Sequence, residues 1–302
     1  MRCIIATGTG LSRAAKAWKP LILTWFIYFL MGSLLVLPLK ATVRNALSDS
    51  SITEKLSGGI DPDVMTDLLE SLPGLSTVFF KGLFLLIITG IIINGFITGG
   101  LFSSLRKAGN PGSLPEFFSA SSKFFWKFTG LSLIIGLIAI LAFLFLVMLP
   151  VGIIVNLSNS PDKTGFIFSI VFGGIYLVIL GMLLLVADYS RAALVAGSVS
   201  SFFGALGFGF SETSRSFFPS LGLILLMMAF QGLFTASVLW FAGIWRPETS
   251  GGAFILLLVS QLLFSMKVYL KNTRYAAVTA LMEINPVRNE KVDQLTQNPQ
   301  MI

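Results

Sequence analysis

An all-α polytopic transmembrane bundle of six helices is the fold class this sequence predicts, and three observations predict it. Of 302 residues, 55% are hydrophobic and only 12% charged, whereas an ordinary soluble domain carries about 25% charged residues. The charges are bunched between seven uncharged runs of 18 residues or more, six of them strongly apolar, and about 20 helical residues cross a bilayer core of roughly 30 Å. The basic residues gather in alternate loops. Helices are the natural spanning element, because an open strand edge leaves its backbone groups unsatisfied in lipid.

The spans follow in order. Leu21 to Leu39 comes after Trp18-Lys19-Pro20, Gly82 to Leu105 after Lys81, and Phe128 to about Val155 after Lys127. Thr164 to Ala187, Ser220 to Gly243, and Thr249 to Met266 ahead of Lys267 complete the set. A further uncharged run, Ala192 to Ser211, holds eight Gly or Ser among its 20 residues. Such a stretch is a weak helix former, so it reads as interfacial or re-entrant instead of a seventh span.

Loop charge sets the orientation, since Lys and Arg are enriched on the cytoplasmic side. Fifteen basic residues fall on the side of the termini and six on the other, where eight of the 14 acids also lie. Both termini are expected in the cytoplasm, and a seventh span would move the basic tail outside. The net charge of +7 then marks a cytoplasmic face and gives no reason to expect a nucleic-acid partner. The first span lacks a convincing small-residue cleavage site and is expected to stay as an anchor. Cys3 is the single cysteine, so no internal disulfide can form.

A repeat runs through the chain. Phe118-Ser-Ala-Ser-Ser-Lys-Phe-Phe-Trp-Lys-Phe-Thr-Gly-Leu-Ser-Leu133 aligns without a gap on Phe210-Ser-Glu-Thr-Ser-Arg-Ser-Phe-Phe-Pro-Ser-Leu-Gly-Leu-Ile-Leu225. Lys16-Ala-Trp18-Lys-Pro20 matches Arg215-Ser-Phe217-Phe-Pro219 as a third, shorter copy. The segments that leave the fourth and sixth helices, Ser190-Arg191-Ala-Ala-Leu-Val195 and Thr273-Arg274-Tyr-Ala-Ala-Val278, also correspond. The expected unit is a basic, aromatic lead-in, a helix out, an external loop and a helix back. Three such units, about 1–105, 106–200 and 201–284, would be parallel repeats, followed by a polar, disordered tail over 285–302.

Each lead-in combines rings that favour the headgroup level with cations that can meet anionic lipid. Lys16, Trp18, Lys123, Trp126, Lys127 and Arg215 are therefore candidate interfacial lipid contacts. Leu114-Pro-Glu-Phe-Phe118 running into Phe124-Phe-Trp126, with the later Asp188-Tyr-Ser-Arg191, resembles several bacterial six-helix membrane families, including the membrane domain fused to some glycerophosphodiester phosphodiesterases. The likeness covers most of the chain. No phosphodiesterase domain accompanies it here, so it implies no activity.

Chemistry-bearing residues are few. Asn94, Gln231 and Gln261 lie mid-span in the second, fifth and sixth helices, where an amide can line a polar path or hydrogen-bond two helices together. Asp188 and Arg191 sit three apart at the end of the fourth helix, a spacing that permits an ion pair. Gly95, Gly99 and Gly100, with Gly90 further out, form a small-residue face for close helix approach, and Gly173 and Gly174 could do the same in the fourth helix. Asp61 to Leu72 reads as a short amphipathic helix in the first external loop. No His is present, and no phosphate-cradling loop, G-x-S-x-G or metal-ligand cluster occurs, so no catalytic residue, cofactor or metal is expected. The reading is a non-catalytic inner-membrane subunit or scaffold whose partners are lipids and other membrane subunits. The alternative is a small permease or lipid-handling transporter.

Overall fold

The structure, a computed structural model, describes residues 2–47, 73–106, 113–157, 161–244 and 250–284. The amphipathic helix expected over Asp61 to Leu72 and the tail over 285–302 lie outside these residues. Among them every regular element is helical: α1 (Arg2–Lys16), α2 (Trp18–Leu47), α3 (Pro73–Arg106), α4 (Leu114–Phe143), α5 (Leu149–Leu157), α6 (Pro161–Ala196), α7 (Phe202–Arg215), α8 (Phe217–Ile244) and α9 (Ser250–Ile284). Five stretches are long and apolar enough to cross a membrane, and α1 with α2, bent by 78° at their junction, make a sixth if counted as one span. The all-α polytopic bundle is thus observed. Its helices overrun the uncharged runs, and α9 continues well past Met266 to Ile284.

The described chain forms two compact units, Met1–Ile22 with Gly95–Ile302, and Leu23–Asn94. In the smaller unit, the Tyr28 hydroxyl donates to Asn94 Oδ1 at 3.0 Å, and Gly90 meets the Met31 side chain. The larger unit holds the rest of the polar architecture.

Helix breaks in that unit have local causes. A single residue, Ala17, separates α1 from α2, and a single residue, Ser216, separates α7 from α8. Pro20 and Pro219 stand three residues beyond these breaks; each lacks the N–H that would bond back four residues, and its ring crowds that carbonyl. The aligned position in α4 is Lys127, and α4 runs through it unbroken. Further along, Leu144–Met148 form a π-helical turn in which the Leu149 N–H reaches the Leu144 carbonyl. Pro150 follows directly, and a π-turn is a common way to accommodate such an interruption.

Between α6 and α7 the chain stops being helical at Gly197, whose φ of +72° is a conformation glycine adopts freely. Its N–H bonds to Leu194 O at 3.2 Å and that of Ser198 to Ala193 O at 3.1 Å, a Schellman-type cap. Ser201 then caps α7 by accepting from the Gly204 N–H at 3.1 Å. The 14 residues of α7 pack along α6, and at about 1.5 Å per residue they are too short to cross. The run from Ala192 to Ser211 therefore supplies no seventh span.

Small residues bring the lead-ins close to their neighbours. In α1, Ala6, Gly10, Ala14 and the adjoining Ala17 recur every three or four residues, and the three alanines are buried. A Cβ on Gly10 would come within 2.7 Å of Thr273 O and 2.8 Å of Ala277 N, so α1 and α9 touch backbone to backbone. Gly209 of α7 presses in the same way on Val186 and Ser190 of α6. In α4 the contact is reversed, with the Phe117 ring seated on Gly100 of α3, while Gly95 and Gly99 meet Thr129 and the Ala120–Ser121 backbone. A Cβ added at Gly173 or Gly174 would meet no atom within 4 Å among the described residues, so no close approach is made there by those residues.

Candidate functional site

The polar residues of the larger unit converge where α6 and α9 leave their apolar stretches. Asp188, fully buried, is the centre. Arg191, one turn along α6, donates from Nη1 to Asp188 Oδ1 at 3.2 Å. Arg274 of α9 places Nε 2.8 Å from Asp188 Oδ2. That N–H does not point along the contact, so charge attraction holds it more than an aligned hydrogen bond. Two guanidinium groups on different helices thus share one carboxylate.

The remaining neighbours complete a box. Arg191 Nη2 donates to Ser132 Oγ of α4 at 2.8 Å, and the same guanidinium lies 5.9 Å from the Phe128 ring centre. Arg274 and Lys271 approach the Tyr275 ring at 5.4 Å and 5.8 Å, distances at which a cation is attracted to the ring face. Tyr275 stacks on Phe102 of α3 at 4.7 Å, and Phe102 meets Phe128 edge-on at 6.2 Å. Nearby, the Tyr189 and Ser220 hydroxyls are 3.1 Å apart, joining α6 to α8.

The cluster sets two guanidinium groups, Arg191 and Arg274, on one carboxylate, with Lys271 beside Tyr275. Arg274 keeps 19% of its side chain exposed and Arg191 only 6%, so the guanidinium charges are unequally shielded from outside. Among the described residues the Arg191 Nε has no hydrogen-bond partner. Such an arrangement clamps three helices and leaves a positive field at one end of them. Two further cations reach backbone carbonyls, Arg106 donating to Val195 O in the last turn of α6 at 2.8 Å and Lys127 to Ser200 O in the connection to α7 at 2.8 Å. The Val195 carbonyl, at a helix C-terminus, favours such a partner.

The residues singled out in the sequence separate into three groups. Asp188 and Arg191 form the expected ion pair and are joined by Arg274, which pattern alone did not assign. Asn94 makes a helix contact, through Tyr28. Gln231 instead lines a groove between α8 and α9, and Gln261 Oε1 is buried without a hydrogen-bond partner among the described residues. Lys16, Trp18, Lys123, Trp126, Lys127 and Arg215 are all exposed, Trp126 at 80%, as an interfacial contact requires. The signal that could have found Arg274 was in the sequence. Aligning the segments after the fourth and sixth helices superimposes Arg191 on Arg274, while only the former has an acid one turn before it.

Fold and site together define a multi-pass, all-α membrane protein with a buried cationic cluster at one end of its helices. The chain matches no family model, no curated protein and no solved structure.

Proposed function

We propose that the protein is a non-catalytic integral membrane protein acting as a subunit or scaffold of a membrane assembly. In this reading it is a triplicated hairpin in a bacterial inner membrane, with the lead-ins forming a cytoplasmic collar and both termini on that side. One observation carries it: the central acid, Asp188, is wholly occupied in holding Arg191 and Arg274, and hence α6 and α9, together. Tyr189 with Ser220 and Asn94 with Tyr28 are spent in the same way. Large apolar side chains such as Phe145, Leu157, Phe166, Leu233 and Trp240 are exposed by half or more, a surface suited to lipid and to other membrane helices.

Purification in a mild detergent tests this. A scaffold is expected to carry another membrane protein in a fixed molar ratio and to be less stable alone. The competing reading, a small permease or lipid-handling transporter, draws on the groove that contains Gln231. If vesicles holding the pure protein moved a solute or lipid, and Gln231→Leu stopped that movement without loss of folded protein, the scaffold reading would fail.

A further inference from the structure

We propose that Lys267 of α9 is an intramembrane docking point for a partner subunit, and that the partner presents a transmembrane helix with an Asp or Glu carboxylate at mid-span. The proposal rests on the subunit reading given above and adds the chemistry of the partner. Lys267 is exposed and lines a groove of about 180 Å³ between α8 and α9, where Gln231 and Thr235 of α8 are the other polar residues.

Three features set that ammonium deep in the crossing. Gln231, on the facing wall, stands at the middle of the uncharged run from Ser220 to Gly243. The part of α9 long and apolar enough to cross, Phe254–Glu283, has its midpoint beside Lys267. Arg274 meets Asp188 at the end of the uncharged run of α6. Lys267 precedes Arg274 by seven residues, which at about 1.5 Å per residue puts it about 10 Å further into the crossing. Side chains lean toward the N-terminus of their helix, so the Lys267 stem leans away from the Asp188 end. To snorkel there it would have to double back.

A cation within the hydrocarbon region is tolerated when it meets an opposite charge, a polar group or water. Among the described residues neither the Lys267 ammonium nor the Gln231 side-chain amide has a hydrogen-bond or ion-pair partner. The buried acid Asp188 holds Arg191 and Arg274, and Glu283 holds Arg13. The six apolar runs contain no acid, so a second copy of this chain brings no mid-span carboxylate. The surroundings suit a helix from another protein. No residue from Met228 to Phe241 on α8, or from Phe254 to Lys267 on α9, is buried among the described residues, whereas the later part of α9 packs on α1 and α6. Gln231, Thr235 and Val238 form a row at spacings of four and three, and Lys267 and Leu270 face them. A trough between two such rows receives the side-chain ridge of a third helix. A carboxylate on that ridge would accept from Lys267 Nζ and, across the groove, from the Gln231 amide. Lipid tails could fill the trough, but they would leave the ammonium unpaired.

The full chain in phosphatidylcholine nanodiscs, with a donor dye at its C-terminus, is titrated with acceptor-labelled transmembrane peptides of Leu and Ala, about 20 residues long. One peptide carries a central Glu, a second a central Gln, and a third a Glu at its end. The central-Glu peptide is expected to associate at least tenfold more tightly than the other two. Lys267→Met should remove that preference, and Lys267→Glu should transfer it to a peptide with a central Lys. Equal association of the central Glu and Gln peptides with the native chain overturns the proposal. So does equal association of the end-placed Glu, which would reveal surface attraction only, or a preference that survives in folded Lys267→Met. Loss of the preference when phosphatidylglycerol is added would assign the lysine to lipid phosphate, and self-association that Lys267→Met abolishes would assign it to a second copy; either overturns the proposal. Should Lys267→Met fail to fold, the three peptides on the native chain decide. Solute movement that Gln231→Leu stops would instead sink the subunit reading itself, and the peptide series separates the two failures.

Discussion

Asp188 holds two arginines from different helices in a place where water cannot reach its carboxylate. Burying a charge costs more than its pairing returns unless the partners are close and well bonded, and removing one partner leaves the others uncompensated. Asp188→Asn keeps the shape and deletes the charge, so it should cost about 3–5 kcal/mol of stability, the usual range for breaking a buried pair. Thermal unfolding in detergent measures this. Arg191→Ala should cost a similar amount, yet the double variant should lose less than the sum, because each single change strands what the other removes. An additive double variant would show that the two groups do not act as a pair. Asn94→Leu tests the weaker kind of polar contact. It removes one hydrogen bond to Tyr28, and interhelical bonds in membranes average about 0.6 kcal/mol. A loss several times larger would mean that Asn94 does more than join two helices.

At the level of the helix, one column of the repeated lead-in decides whether the chain bends. Pro20 and Pro219 follow breaks at Ala17 and Ser216, and Lys127 in the matching place leaves α4 continuous. Lys127→Pro should therefore destabilise the protein by about 3 kcal/mol, the cost of proline inside a helix, and lower its melting temperature accordingly. Pro219→Ala meets a break already made and should change stability by less than about 1 kcal/mol. The same column shows how much was legible in advance. The aligned segments bring Pro20, Lys127 and Pro219 into one column, and proline chemistry accounts for the two breaks. The helical state of residues 2–16 was not legible, because Gly8, Gly10 and three threonines or serines dilute its periodicity. Its cause is tertiary: Ala6, Gly10, Ala14 and Ala17 fit the alanine face of α9. Gly10→Leu should thus separate α1 from α9 and expose α1 to limited proteolysis, whereas Gly8→Ala, with open space at its Cβ, should not. Glycines 173 and 174 teach the converse, since small size permits close approach only where a neighbour is supplied.

For the molecule as a whole, the charge pattern makes the sharpest claim. The cluster of Asp188, Arg191, Lys271 and Arg274 was only half visible as a spacing in α6, because its other half arrives from residues 80 or more positions away. The loops, by contrast, could be read one at a time. Arg13 also pairs with Glu283 through two contacts, at 3.2 Å and 2.6 Å, so the first and last described helices are joined at their charged ends. If both of those ends face the same compartment, the number of crossings between them is even. Six crossings satisfy that condition, and counting α1 with α2 as one bent span yields six. Seven would set Arg13 and Glu283 on opposite sides of the bilayer, where a 2.6 Å ion pair cannot form. If the Lys- and Arg-rich loops mark the cytoplasmic face, a reporter fused after residue 302 should read cytoplasmic, and one inserted near residue 60 should read external. The substitutions Ser158→Cys and Asn110→Cys, made one at a time after Cys3→Ser, place a lone thiol in the third and second loops respectively. Treated in intact cells with an impermeant maleimide, the first should react and the second stay silent. Labelling of Asn110→Cys with Ser158→Cys silent would reverse the orientation and leave the even count intact, whereas labelling of both would break the count.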